Sequence, residues 1–291
     1  MTDDLELTVL QPAQDERGYL GAFAITDSAI YAVGGLSSAA ATLLVSTDGR
    51  QFASRTTPRE LGLRDVRAIG DALWVCGEYG QLAVSRDRGE TWRLVPTGTT
   101  ECLFGLAIAA DDALWVVGDR GFAARSINGD QTERVDSQTD ARLSAVFALR
   151  DEMLGLGGDG GIRRWRGGTV SIAASGSSKP LTGFVRTRDD TWVVVGDAGF
   201  VSRSPDGAWF TVVKTEVACD FEAVAMLADG RIVIVGDRGT VLVSADDGRH
   251  WTPAAIAPEL GDAHLWSIAS YRDGALVGGD RGLVARLGPR T

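Results

Sequence analysis

The chain has 291 residues, a formal net charge of −10 and no apolar run approaching the ~18 residues of a membrane-spanning helix. That length allows two ordinary domains or one large all-β domain. The acidic balance argues against general nucleic-acid binding, which needs a cationic surface for phosphates, and leaves room for a basic protein partner.

Glycine is abundant, at 37 residues against 8 prolines, with no Gly-X-Y period. This points to many tight turns rather than collagen or disorder. Lysine occurs only at 179 and 214, in an arginine- and alanine-rich chain of the kind a GC-rich bacterial genome encodes. Cys76, Cys102 and Cys219 are far apart and form no CxxC pair, so neither a disulfide framework nor a metal site is expected. The opening MTDDLELTVLQPAQ is acidic where a secretory leader is basic, so a cytoplasmic location is expected.

In chain order, Leu5–Leu10 comes first and alternates in character. Next is AIYAVGG, ending at Gly34-Gly35. From there a turn recurs after a short apolar strand: Gly77-Glu78-Tyr79-Gly80, Gly118-Asp119-Arg120-Gly121, Gly158-Asp159-Gly160-Gly161, Gly196-Asp197-Ala198-Gly199, Gly236-Asp237-Arg238-Gly239 and Gly279-Asp280-Arg281-Gly282. The first glycines lie 43, 41, 40, 38, 40 and 43 residues apart, giving seven copies of a unit near 41. Each copy reads as four short strands with period-2 patterning and no helical period. The expected fold is therefore all-β: a single seven-bladed β-propeller of four-stranded antiparallel blades spanning 1–291. Its repeats fall near 18–57, 63–97, 102–136, 141–175, 180–215, 219–256 and 263–288 plus 4–10. The last copy lacks its fourth strand, and Leu5–Leu10 is expected to supply it beside 283–287, closing the ring and covering its edges.

A second turn carries a more specific pattern. Ser85-Arg86-Asp87-Arg88-Gly89-Glu90-Thr91-Trp92 and Ser244-Ala245-Asp246-Asp247-Gly248-Arg249-His250-Trp251 both fit S-x-D-x-G-x-x-W. Degraded forms lie at Ser46, Asp48, Gly49 and Phe52, at Ser126, Asn128 and Gly129, and at Ser204, Asp206, Gly207 and Trp209. The fourth copy has Trp165-Arg166-Gly167-Gly168 instead. The Asp can accept backbone N–H bonds, the Gly takes positive φ, and the aromatic packs between blades. A calcium ion needs six to eight oxygens, more than one such turn offers. The pattern is the Asp-box of bacterial neuraminidase-like repeats. With the glycine turns and tryptophans, the chain resembles the photosystem II stability/assembly-factor-like propellers. That resemblance implies a non-enzymatic protein that holds a partner polypeptide.

Sialidases on this repeat need an arginine triad and a Tyr nucleophile paired with Glu. Their early Arg-Ile-Pro motif is absent, and Tyr31 sits at a core position. The only histidines, His250 and His264, form no HExxH or similar ligand pattern, so no metal and no cofactor are expected. In a propeller the glycine turns and the blade-connecting loops share the channel-mouth face. A ring of Glu78, Asp119, Asp159, Asp197, Asp237 and Asp280 is expected there, with Tyr79, Arg120, Arg238 and Arg281 at the variable third position. Connecting loops add Arg59-Glu60, Arg64-Asp65, Lys179 and His264. The functional expectation is a monomeric scaffold or assembly factor binding another protein, with these arginines meeting acidic groups of the partner. Two alternatives remain: an inhibitor of a basic toxin, motivated by acidic loops at Asp15-Glu16, Glu101, Asp136, Glu216, Asp220, Glu222, Glu259 and Asp262, and a glycoside hydrolase.

Overall fold

The structure, a computed structural model, describes residues 5–13, 18–36 and 40–289; Asp15 and Glu16 lie outside these. Among the described residues, seven sheets follow one another along the chain, antiparallel but for one short parallel pairing in the last. Their first strands are Tyr19–Ile25, Leu63–Ile69, Leu103–Ile108, Leu143–Ala148, Leu181–Arg186, Phe221–Met226 and Leu265–Tyr271. First strands of successive blades contact one another, so they line the axis of the ring. Second strands such as Ile232–Gly236 (IVIVG) and Trp192–Gly196 (WVVVG) are buried at every residue. A strand packed on both faces reads as a continuous apolar run rather than an alternating one.

The core is divided among the seams. Seven apolar clusters occur, one for each pair of neighbouring blades. Trp74, Cys76 and Val84 of blade 2, for example, meet Leu103, Leu106 and Val116 of blade 3. Leu276 and Val284 of blade 7 meet Leu20, Ile30 and Leu44 of blade 1 across the closure.

Closure occurs as the alternation of Leu5–Leu10 suggested. Strand Leu5–Gln11 runs antiparallel to Val284–Pro289, with Leu5 opposite Pro289 and Leu7 opposite Leu287. Leu5 and Leu7 are fully buried against blade 6 valines. One boundary is corrected. Ala255–Ile256, placed at the end of the sixth repeat, leaves blade 6 and pairs in parallel with Glu6 and Leu7, giving blade 7 a fifth strand.

Candidate functional site at the channel mouth

The glycine turns are staples between blades. Asp119 N donates to Cys102 O at the foot of its own first strand, and Gly121 N donates to Ala141 O at the foot of the next. The same pair of bonds recurs at Glu78 and Gly80, Asp197 and Gly199, Asp237 and Gly239, and Asp280 and Gly282. The geometry dictates the residues. Third positions are left-handed (Arg120 at φ 51°), and so is the second glycine (Gly121 at φ 63°). A Cβ on Gly121 would sit 1.7 Å from Thr139 O, so only glycine fits.

The fourth copy corrects the sequence register by one residue. Gly158 N bonds to Arg142 O, the partner position of Asp119 N, and Ser175 donates to Gly160 O as Ser137 does to Gly121 O. The turn aligns as Gly157-Gly158-Asp159-Gly160, with Asp159 at the variable position and glycine replacing the acid, but Asp159 is not left-handed and Gly160 N bonds back to Gly157 O rather than to the next blade. The cause is Arg163. Its side chain is almost fully buried, and its two terminal nitrogens lie 2.5 Å from the Asp159 carboxylate oxygens. That pairing holds Asp159 well below the usual carboxylate range.

Second and third positions part company. The acids are half-buried and turn inward. Glu78 bonds to Arg64, Asp119 to Arg142 Nε at 3.0 Å, and Asp280 accepts from Trp266 Nε1 at 2.8 Å. Asp237 lies 2.6 Å from His264 Nδ1. Tyr79, Arg120, Arg238 and Arg281 are exposed on the rim. Tyr79 lines a shallow pocket of about 620 Å³ with Arg59 and Thr97, away from the inward acids. Arg120 lies 3.9 Å from Glu101, a loose exposed pair.

The inner surface comes from a feature the sequence reading passed over. Every first strand bulges at the same place, after its first buried residue. The extra residue is Gly21, Arg64, Phe104, Ser144, Thr182, Glu222 or Trp266. A bulge leaves one residue out of the ladder and re-aims its side chain. Together with the residue just before the first buried position of each strand, these positions build a continuous arc. His264 stacks on Trp266 at 3.8 Å, and Tyr19 packs on Trp266 at 5.2 Å. The Arg64 guanidinium then bridges Tyr19 (4.9 Å) and Phe104 (5.5 Å), and Arg142 lies 4.3 Å over Phe104. Of this arc, only Arg64 and His264 were singled out as candidates beforehand; Tyr19, Phe104, Arg142 and Trp266 were not. The signal existed in the spacing. Buried apolar residues fall three apart, as in Leu63 and Val66 or Leu103 and Leu106, where an unbroken strand would space them by two.

The opposite side is acidic. Burial, followed by the charges of Asp220, Glu222 and Asp237, pushes the Asp197 carboxyl up to about 6, against a smaller opposing pull from Lys179. For His264, burial works to lower the pKa, but the Glu222 hydrogen bond and the Glu222, Asp237 and Asp280 charges outweigh it and raise it. Glu222, Asp237 and His264 offer ligand atoms within 4.8 Å of one another. However, the two ring nitrogens lie beside different carboxylates: Nε2 hydrogen-bonds Glu222 at 3.1 Å, and Nδ1 is 2.6 Å from Asp237 Oδ1, a charge contact without hydrogen-bond geometry. This suits an imidazolium clamped between two acids, since an ion would take only one nitrogen.

The S-x-D-x-G turns brace the opposite ends of the strands. Ser85 Oγ donates to Asp87 and accepts from Gly89 N at 2.7 Å, and Asp87 accepts from Thr91 N at 2.8 Å. Ser244, Asp246, Gly248 and His250 repeat the pattern. Hydrogen bonds from Thr91 and Ser85 push Asp87 down to about 2. Trp92 donates to Thr56 O of blade 1, and Trp251 packs in the blade 5/6 cluster. Blade 3 has Asn128 in place of the Asp and no aromatic after it, and blades 5 and 4 depart in other ways. Trp209 is 82% exposed, and Phe210 takes the packing place instead. In blade 4, which lacks the turn, Trp165 Nε1 reaches Asp136 O at 2.7 Å, the counterpart of the Trp92 bond.

No protein-family model matches the chain, and no curated protein matches it. Solved structures do. YCF48 bound to D1 peptide is 16% identical with a TM-score of 0.79, over 99% of this chain and 98% of that one. A catalytically inactive virginiamycin B lyase from Staphylococcus aureus, with quinupristin, is 10% identical with a TM-score of 0.84, over 98% and 100%. The WD40 propeller domain of Doa1 is 13% identical with a TM-score of 0.75, over 98% and 97%. At these identities the chain shares with all three a propeller fold that spans its whole described length.

Proposed function

We propose that this chain is a non-catalytic Asp-box propeller of the assembly-factor-like kind, which holds a partner polypeptide on its channel-mouth face. The observation that carries the reading is the arc His264–Trp266–Tyr19–Arg64–Phe104–Arg142, opposed by the acids Asp197, Asp220, Glu222 and Asp237. Seven equivalent bulges hold seven positions in one ring, yet the side chains there differ in size and charge. A purely structural position would repeat its residue, as the staple glycines do. Aromatic and arginine side chains at the centre of a face are the usual anchors of a protein interface. The acidic half and the overall charge favour a partner with a basic segment, whose association they would steer. YCF48 holds a D1 peptide on a similar scaffold, which supports a polypeptide as the ligand class.

The test begins with affinity capture from the native organism, followed by titration of the captured partner. Phe104→Ala and Trp266→Ala are each expected to weaken binding by about 2 kcal/mol or more, as interface anchors do. The rim pair Arg238→Ala with Arg281→Ala is expected to act more weakly and mainly on the salt-dependent on-rate. Unchanged affinity in both aromatic variants would remove the mouth as the contact surface. A second reading, an acid–base enzyme, draws on His264 held between two carboxylates; turnover abolished by His264→Gln would favour it.

A further inference from the structure

Outer strands are short in most blades. Ala53–Ser54, Arg93–Leu94, Glu133–Arg134 and Thr252–Pro253 have two residues each, and Thr211–Val213 has three. In blade 7 the long strand Leu5–Gln11 is itself covered by Ala255–Ile256. Blade 4 differs from all of these. Its outer strand, Thr169–Ala174, has six residues and pairs with Gly161–Arg166 along its whole length. It is the last strand of its sheet, with nothing paired beyond it among the described residues. From Thr169 to Ser178 the chain carries no charge and no proline. Long, uncharged edges are what folded proteins normally avoid, because their outward N–H and C=O groups are a template for another strand.

The cause is local. Blade 4 has no S-x-D-x-G turn. Its third and fourth strands are joined by Gly167 and Gly168, both left-handed, in a tight two-residue hairpin. The fourth strand therefore stays in register from its first residue, while the longer turns of other blades leave only a short pairing.

A cleft of about 990 Å³ between blades 3 and 4 runs beside this edge. Trp115 and Trp165, 5.4 Å apart, form its floor, and Val170 lines its wall. Val170 packs in the seam between blades 3 and 4. Ile172, two residues on and therefore on the same face, is 49% exposed. Edge and cleft thus meet at Thr169 and Val170: the edge offers a row of hydrogen-bonding groups, and the cleft sets Trp115, Trp165 and Val170 among the charged side chains of Arg125, Glu133, Arg150 and Glu152.

We propose that the outer edge of blade 4 is a second docking site, which takes an extended segment of a partner polypeptide as a fifth strand. Only an extended backbone satisfies a row of alternating donors and acceptors, and six residues offer it roughly 20 Å of edge. Alternate side chains of the segment lie on the same face as Val170 and the exposed Ile172, where apolar residues would pack. The molecule already contains such an arrangement: blade 7 accepts Ala255–Ile256 from a connecting segment as its fifth strand. This site lies on the outside of the ring and does not depend on the reading of the channel mouth.

The test uses the full chain and an acetylated, amidated peptide of alternating valine and threonine with a lysine at each end. Amide exchange read by mass spectrometry is expected to show protection of 169–174 on adding the peptide. A version N-methylated at alternate amides should give none, because it cannot complete the ladder. Ile172→Lys should weaken binding by about tenfold or more, since an edge charge disfavours pairing. The proposal is overturned if 169–174 gains no protection at millimolar peptide, or if the N-methylated peptide protects equally. It is also overturned if protection appears with protein concentration alone, which would assign the edge to a second copy of the chain. The N-methyl comparison uses the unaltered protein, so it decides the matter even if Ile172→Lys folds poorly.

Discussion

Replacing Leu7 with alanine tests whether the ring stands or falls by its closure. Leu7 is fully buried and packs in the cluster that joins Val233, Val235 and Val243 of blade 6 to Val277 and Leu287 of blade 7. Its strand is hydrogen-bonded on both sides, to Val284–Pro289 and to Ala255–Ile256, so the backbone has little freedom to collapse into the space left. A buried leucine truncated to alanine costs about 2–5 kcal/mol, more where the site cannot relax. Taking ~3 kcal/mol and roughly 2–4 °C per kcal/mol for a domain of this order, Tm should fall by roughly 6–12 °C. Thermal and urea unfolding followed by tryptophan fluorescence measures it. Thr8→Ala is the control: Thr8 is exposed and its hydroxyl makes one 3.3 Å bond to Arg286 O, so its loss should stay within ~0.5 kcal/mol. A loss below ~1 kcal/mol for Leu7→Ala would refute the latch. So would a separate early transition in the unaltered chain, since blade 7 would then melt without the ring.

Two further substitutions separate backbone strain from steric fit. Gly98 and Gly121 are both left-handed, at φ 69° and 63°, but a Cβ on Gly98 meets nothing within 4 Å. Gly98→Ala should cost about 1 kcal/mol and Gly121→Ala about 1–3 kcal/mol more; equal losses would show that the staple yields. In pH titrations of stability, Asp197 has a folded pKa raised to about 6. Its contribution is therefore fully present below ~3.8 and lost as pH rises through 6. Asp197→Asn should flatten stability over that window; an unchanged slope contradicts the acidic crowding. His264 is also raised, so its clamp should stabilise fully below ~6.5 and weaken as pH rises through its folded value. His264→Gln should remove that alkaline decline.

Repetition made the fold legible. A single Gly-x-x-Gly turn says little, but six of them after Gly34-Gly35, 38 to 43 residues apart, mark a repeat array of four-stranded units, and the missing last strand pointed to Leu5–Leu10. Legibility failed where two glycine readings competed. Gly157-Gly158-Asp159-Gly160-Gly161 contains the motif in two registers, and local sequence cannot choose between them. The choice is made by Arg163, whose burial draws Asp159 into the variable position. Trp209 failed for a related reason. Two aromatics stand side by side, and which of them packs depends on the neighbouring blade: Phe210 joins the seam with blade 4.

The channel mouth was half legible, and the division has a physical cause. Turn residues announce themselves, because positive φ and close backbone approach restrict them to glycine and a few partners. The staple acids were therefore found, and with them the rim. A bulge leaves a fainter trace, a single extra residue between two buried apolar ones, and any side chain can occupy it. Nothing local in the sequence separates Phe104 and Trp266 from aromatics that pack inside apolar strands. Aligned at Leu63, Leu103, Leu143 and Leu181, the sequences show the shift from a spacing of two to a spacing of three, with Val66, Leu106, Val146 and Phe184 as the next buried apolar residues. That recurrence separates the residues that hold the ring from those it presents. The residue before each bulge is buried and apolar in all seven blades, and the apolar residue three positions later is buried in five of them and partly buried, as Val224 and Ile268, in the other two. The residue between, Gly, Arg, Phe, Ser, Thr, Glu or Trp, follows no packing rule. A position fixed by geometry and unconstrained by packing is where a propeller can vary its recognition without altering its fold.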